Sequence, residues 1–110
     1  MAAMTGTDPM LVLTTLPATF DVALFARTLV DERLAACVSV YGPMQSYYRW
    51  KGAVEEDEER QVVIKTTAAN LRPLEARFAS LHPYEVPELV ALPIEEGGAA
   101  YLDWLRESTR

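Results

Sequence analysis

The sequence predicts an α+β domain: an antiparallel sheet of four strands with two helices over one face, a long central β-hairpin and a short C-terminal helix. Three observations lead there. Short apolar or alternating runs of strand length take turns with amphipathic stretches of helix length. Proline and glycine punctuate the joins. The chain is 110 residues long, 50% hydrophobic and 24% charged, the size and balance of one globular domain.

The elements follow in order. Residues 1–9 are small, polar and unpatterned and read as a flexible leader, with a single domain over 10–110. Met10 to Thr15 is short and apolar and stops before Pro17, as a strand covered on both faces does. Thr19 to Arg33 places Val22, Phe25, Ala26, Leu29 and Val30 on one helical face, with Thr19 as N-cap and Asp21 in the first turn. Ala35 to Tyr41 alternates, Gly42-Pro43 interrupts, and Ser46 to Lys51 resumes, which predicts a strand with a bulge or bend. Gly52 marks a turn. Ala53 to Thr67 is a long strand that opens on the acidic run Glu55 to Glu59 and ends apolar. The run reads as a solvated strand tip, partly offset by cross-strand Arg49 and Lys51. Asn70 to His82 is the second helix, with Asn70 as N-cap, Pro73 in the first turn and Pro83 as the stop. Glu88 to Ile94 is a strand whose Pro93 implies an edge or a strand end, and Ala99 to Thr109 closes as a helix. Strand, helix, strand, strand, helix, strand is the split βαβ, or ferredoxin-like, order. Tyr47, Tyr48, Trp50, Tyr101 and Trp104 are more aromatic surface than a monomer leaves wet, so a homo-oligomer packed sheet on sheet is expected.

Composition narrows the function. Sixteen acidic against ten basic residues give a net charge of -6, which argues against nucleic acid or an anionic membrane as the main partner. A single cysteine, Cys37, precludes an intramolecular disulfide and a zinc ribbon or iron–sulfur centre built from one chain. No run is long enough to span a bilayer, and the N-terminus lacks the pattern of a secretory signal, so a cytoplasmic location is expected.

The segments Glu32-Arg33-Leu34-Ala35-Ala36-Cys37-Val38, Tyr48-Arg49-Trp50-Lys51-Gly52, Ile64-Lys65-Thr66-Thr67 and His82-Pro83-Tyr84-Glu85-Val86-Pro87-Glu88 resemble, in order and spacing, the signatures of the CutA family of divalent-cation-tolerance proteins. The resemblance runs from about Met10 to Thr109. It implies a ferredoxin-like subunit in a tight homotrimer similar to the PII-type signalling proteins. It also implies a link to tolerance of copper and other divalent cations, with no established reaction. A copper site proposed for a bacterial member uses a cysteine ending the first strand and two adjacent histidines. Thr14 and Leu81 stand at two of those positions here, and His82 remains. Copper prefers thiolate, thioether and imidazole ligands, so that site does not carry over by its ligands.

Individual residues keep two readings each. Cys37 is a small core hydrophobe or a thiol lining a subunit cleft. His82 caps its helix by bonding the last carbonyls, or it ligates a divalent ion beside Glu85 and Glu88. Lys65, in an apolar strand, snorkels or meets a partner. Cys37, Arg49, Trp50, Lys65, His82 and Tyr84 are the candidate intersubunit pocket. The leading expectation is a cytoplasmic homotrimer tied to divalent-cation tolerance, with weak cation binding, no required cofactor and no enzyme chemistry. The alternatives are a PII-like small-ligand sensor, a structural scaffold, and a hydrolase or isomerase built from Lys65, His82 and Glu85 across subunits.

Overall fold

The computed structural model describes residues 5–110. Its elements are β1 (Pro9–Pro17), α1 (Val22–Asp31), β2 (Cys37–Trp50), β3 (Ala53–Thr67), α2 (Leu71–Leu81), β4 (Val90–Pro93) and α3 (Ala99–Ser108), with a 3-10 turn over Ala68–Asn70 leading into α2. The strands form one antiparallel sheet in the order β2-β3-β1-β4. This is the ferredoxin-like arrangement that the element order predicts.

Alternation divides the sheet into two faces. Val12 and Leu16 of β1 and Val62 and Ile64 of β3 point to the helices and pack with Phe25, Leu29, Leu74 and Phe78. Leu11, Leu13 and Thr15 of β1 point the other way with Val63 and Lys65 of β3, and all five are only half-buried. Val90 and Leu92 on β4 pair with Leu13 and Leu11 and are exposed. This second face is the one expected to be covered by another copy.

The central hairpin forms as expected, and β2 runs through Gly42-Pro43 with a register shift between Val40 and Pro43. The turn is Lys51-Gly52, both at positive φ (50° and 84°), a two-residue connection whose twist matches the strands it joins. The tip is a ribbon of two strands, because β1 pairs with β3 only as far as Pro17↔Glu59.

Several local expectations are corrected. Asp21, not Thr19, caps α1: its carboxylate accepts from the Leu24 N–H at 3.1 Å, because the chain turns first, with Phe20 N–H donating to the Pro17 carbonyl. Asn70 holds the N-cap position of α2, as expected, but makes no side-chain capping hydrogen bond. It already has helical dihedrals, and its amide donates to Thr67 Oγ1 and to the Thr109 carbonyl, tying the start of α2 to the end of α3. Residues 1–4 of the expected leader lie outside the described residues. Thr5–Asp8 is a hydrogen-bonded turn fastened to the 3-10 segment by Ala68 N–H to Asp8 O and Ala69 N–H to Gly6 O.

Candidate functional site

His82 shows how local sequence and tertiary packing combine. It precedes Pro83, which disfavours helical dihedrals, so its backbone is extended (φ -80°, ψ 134°) and α2 stops. The ring then turns inward instead of bonding the last carbonyls. It is 8% exposed and lies against Phe25, Phe78 and Tyr84, with ring centroids 5.8, 5.3 and 5.2 Å away. Nδ1 accepts the Tyr84 backbone N–H at 3.2 Å, which leaves the proton on Nε2, 3.0 Å from Thr14 Oγ1. Burial lowers the histidine from its ordinary value of 6.5, against a smaller opposing pull from a backbone hydrogen bond at Thr15 and from Glu59. The imidazole is therefore neutral at pH 7 with both nitrogens engaged.

From the sequence, His82→Ala is expected to leave the fold intact; the buried ring changes that expectation. The substitution removes three aromatic contacts and orphans two polar groups. A loss of about 2–3 kcal/mol in urea unfolding is expected. The pH dependence has a definite sign. A histidine depressed in the native state binds protons more readily unfolded, so its stabilisation is complete above about 6.5 and drains away as pH falls through the lower native value. Subtracting the unfolding free energies of His82→Gln from those of the wild type at pH 8 to 5 isolates this component. A flat difference would contradict a buried neutral ring.

Beyond Tyr84, the segment from Pro83 to Glu88 closes one side of a cleft of about 600 Å³. Trp50 and Tyr48 of the hairpin form another wall, and Thr15, Glu59 and Gln61 form the sheet side. Glu59 is 6% exposed. It belongs to the acidic run that reads as a solvated tip, and Glu55 to Glu58 are indeed exposed. Glu59 differs because it sits where β1 joins β3 and a third strand begins to cover it. Tyr84 Oη donates to Glu59 Oε2. Burial first, then this hydrogen bond, holds the Tyr84 phenol well above the usual phenol range.

The acids further out meet tyrosines rather than cations. Tyr47 Oη donates to Glu56 at 3.3 Å and Tyr48 Oη donates to Asp57. The Asp57 bond, with neighbouring carboxylates, pushes Tyr48 up to about 12. Arg49 stands opposite Val54, and neither it nor Lys51 forms an ion pair among the described residues, so the expected cross-strand offset is absent.

The expected pocket residues separate within one chain. Trp50 and Tyr84 line the cleft with Glu85 and Glu88, while His82 lies behind Tyr84. Cys37 and Lys65 are cross-strand partners elsewhere on the open face. Lys65 Nζ donates to Tyr101 Oη at 3.1 Å and lies 5.3 Å from that ring's centroid. That bond raises the ammonium above its ordinary value against the opposing effect of burial. Cys37 Sγ has Ser39 Oγ at 3.7 Å. Glu85 lines the cleft, and neither Lys65 nor His82 is among its lining residues. Among the described residues, no three His, Cys, Asp or Glu side chains converge to hold a metal ion, so His82, Glu85 and Glu88 do not form such a group. Thr14 Oγ1 and an imidazole with both nitrogens occupied do not fit a copper ion either. The residues that sequence reasoning missed are Thr14 as the partner of His82, and Glu59. The one available signal for Glu59 was alternation, which puts it on the open face with Gln61 and Val63.

Fold and site together define a ferredoxin-like domain with a half-open sheet face and an acidic, aromatic cleft beside it. The model of the CutA1 divalent ion tolerance protein family matches residues 10–108. The chain belongs to that family. It is 51% identical over 98 residues to the divalent-cation tolerance protein CutA of Thermus thermophilus, covering 89% of this chain and 95% of that one. It is 46% identical over 84 residues to human protein CutA, covering 76% of this chain. It spans about half (47%) of that human protein's length. The solved Cut A1 structure from Thermus thermophilus superposes with a TM-score of 0.88 at 49% identity, covering 93% of this chain and 99% of that one. Among the described residues, no helix is long and apolar enough to cross a membrane.

Proposed function

We propose that the chain acts in the cytoplasm as a homotrimer in divalent-cation tolerance, meeting cations weakly through surface carboxylates and needing no resident cofactor. Membership of the tolerance family over residues 10–108 is the observation that carries this reading. The half-open apolar face supports the assembly: Leu11, Leu13 and Val63 are half-buried, and Val90 and Leu92 are each 46% exposed. The neutral, doubly bonded His82 supports weak binding, because a metal must first displace Thr14 or the Tyr84 N–H. A copper-specific role would rest on ligands other than Thr14 and His82.

Calorimetric titration of the metal-stripped protein with Cu²⁺, Zn²⁺ and Mg²⁺, beside His82→Gln, tests the reading. Dissociation constants of about 0.1–1 mM, unchanged in the variant, are expected for dispersed carboxylates. Stoichiometric binding orders of magnitude tighter, lost in a variant that circular dichroism shows to be folded, would make His82 a ligand and overturn it.

A further inference from the structure

The cleft beside Glu59 has a chemistry that the tolerance reading leaves unused. Glu59 is a carboxylate with 6% exposure and no cationic partner among the described residues. A carboxylate with this little exposure favours any donor that can reach it. Tyr84 donates to Oε2, and Oε1, which has no hydrogen-bond partner among the described residues, is not fully buried. The residue lines the cleft, so the unfilled oxygen is reached from there.

The remaining lining decides what can fill it. Trp50, Tyr48 and Tyr84 supply aromatic walls, Glu85 and Glu88 stand on the opposite segment, and no lysine, arginine or histidine lines the cavity. An anionic ligand is therefore excluded by charge. A hard divalent ion needs several converging oxygens, and no three acidic groups converge here among the described residues. An ammonium group suits the site better. It donates hydrogen bonds to a single carboxylate, and aromatic faces attract it. Methylene groups beside it lie comfortably against tryptophan and tyrosine rings. The carboxylates of Glu85 and Glu88 then offer a place for a second positive charge. At about 600 Å³ the cleft is of ordinary small-molecule size.

We infer that this cleft binds an aliphatic diamine or polyamine, one ammonium on Glu59 and the chain along Trp50 and Tyr48 toward Glu85 and Glu88. The inference is independent of metal tolerance. It is tested on the full chain in its native assembly by calorimetry with 1,4-diaminobutane, butylamine, tetramethylammonium and Mg²⁺ at constant ionic strength.

The diamine is expected to bind with one site per chain. Butylamine, with one charge, and tetramethylammonium, with no donor, should each bind about tenfold more weakly. Mg²⁺ should not compete. Glu59→Gln keeps the shape and should weaken diamine binding about tenfold or more. The double variant Glu85→Gln/Glu88→Gln changes only exposed residues and should reduce the diamine to the level of butylamine. Failure of the wild type to bind the diamine overturns the inference, including the case in which a neighbouring copy already fills the cleft. So does equal affinity in the double variant, displacement by Mg²⁺, or unchanged affinity in Glu59→Gln.

Discussion

Leu13→Asp is expected to convert a species sedimenting at three times the 12.3 kDa chain into one sedimenting as a single chain. Leu13 sits mid-strand in β1, between Val63 of β3 and Val90 of β4, on the face turned away from the helices. It contributes nothing to the helix-side core of Val12, Leu16, Val62 and Ile64. A carboxylate there is tolerated by a single subunit, because water reaches that face. In an assembly packed sheet on sheet, each copy buries one unpaired charge at the centre of the interface, at several kcal/mol per ion. Far-UV circular dichroism should be unchanged while the mass falls. A variant that keeps the wild-type mass, or a wild type that sediments as one chain, would contradict the assembly.

The second large effect lies on the opposite face. Phe78→Ala is expected to cost about 3–5 kcal/mol of unfolding free energy, a large share of the roughly 5–15 kcal/mol that such domains have. Phe78 is 2% exposed and links three elements: its ring is 5.6 Å from Phe25 of α1 and 5.3 Å from His82, and it packs over the sheet residues of the core. Truncation leaves a cavity that α1 and α2 cannot both close. Phe78→Leu, which keeps most of the volume, should cost under about 1.5 kcal/mol. Urea midpoints must be compared at one protein concentration, because association adds to apparent stability. Equal midpoints for the alanine and leucine variants would mean that the ring is not the keystone of this core.

The two variants together separate folding from assembly. Phe78 acts within the fold of one chain, and Leu13 is expected to act only through the proposed assembly, so their effects should appear in different measurements. His82 belongs with Phe78 by its contacts, despite its place in the densest stretch of family-like sequence. Its two engaged nitrogens are a reason to look for ligands at Glu59 rather than at the histidine.

Much of the architecture was already written in short-range pattern. The long strand Ala53–Thr67, the hairpin with its interruption after Val40, the helix ended by Pro83 and the edge strand at Pro93 all follow from alternation, helical spacing and the covalent limits of proline and glycine. These rules act over a few residues, so one chain segment suffices to apply them. The caps escaped because Asp21 and Thr19 are both good N-cap residues, and a turn at Pro17 to Phe20 chose between them.

The site is a different matter, because its partners are far apart along the chain. Thr14 meets His82 across 68 residues, Lys65 meets Tyr101 across 36, and Glu59 meets Tyr84 across 25. No periodicity links such pairs. Glu59 is a carboxylic acid like those before it, and it is buried because β1 pairs with it at Pro17 and Tyr84 lies against it. Local propensity specified the strands and helices. Burial and pairing of individual polar groups depended on which strands became neighbours, and that is a property of the packed chain alone.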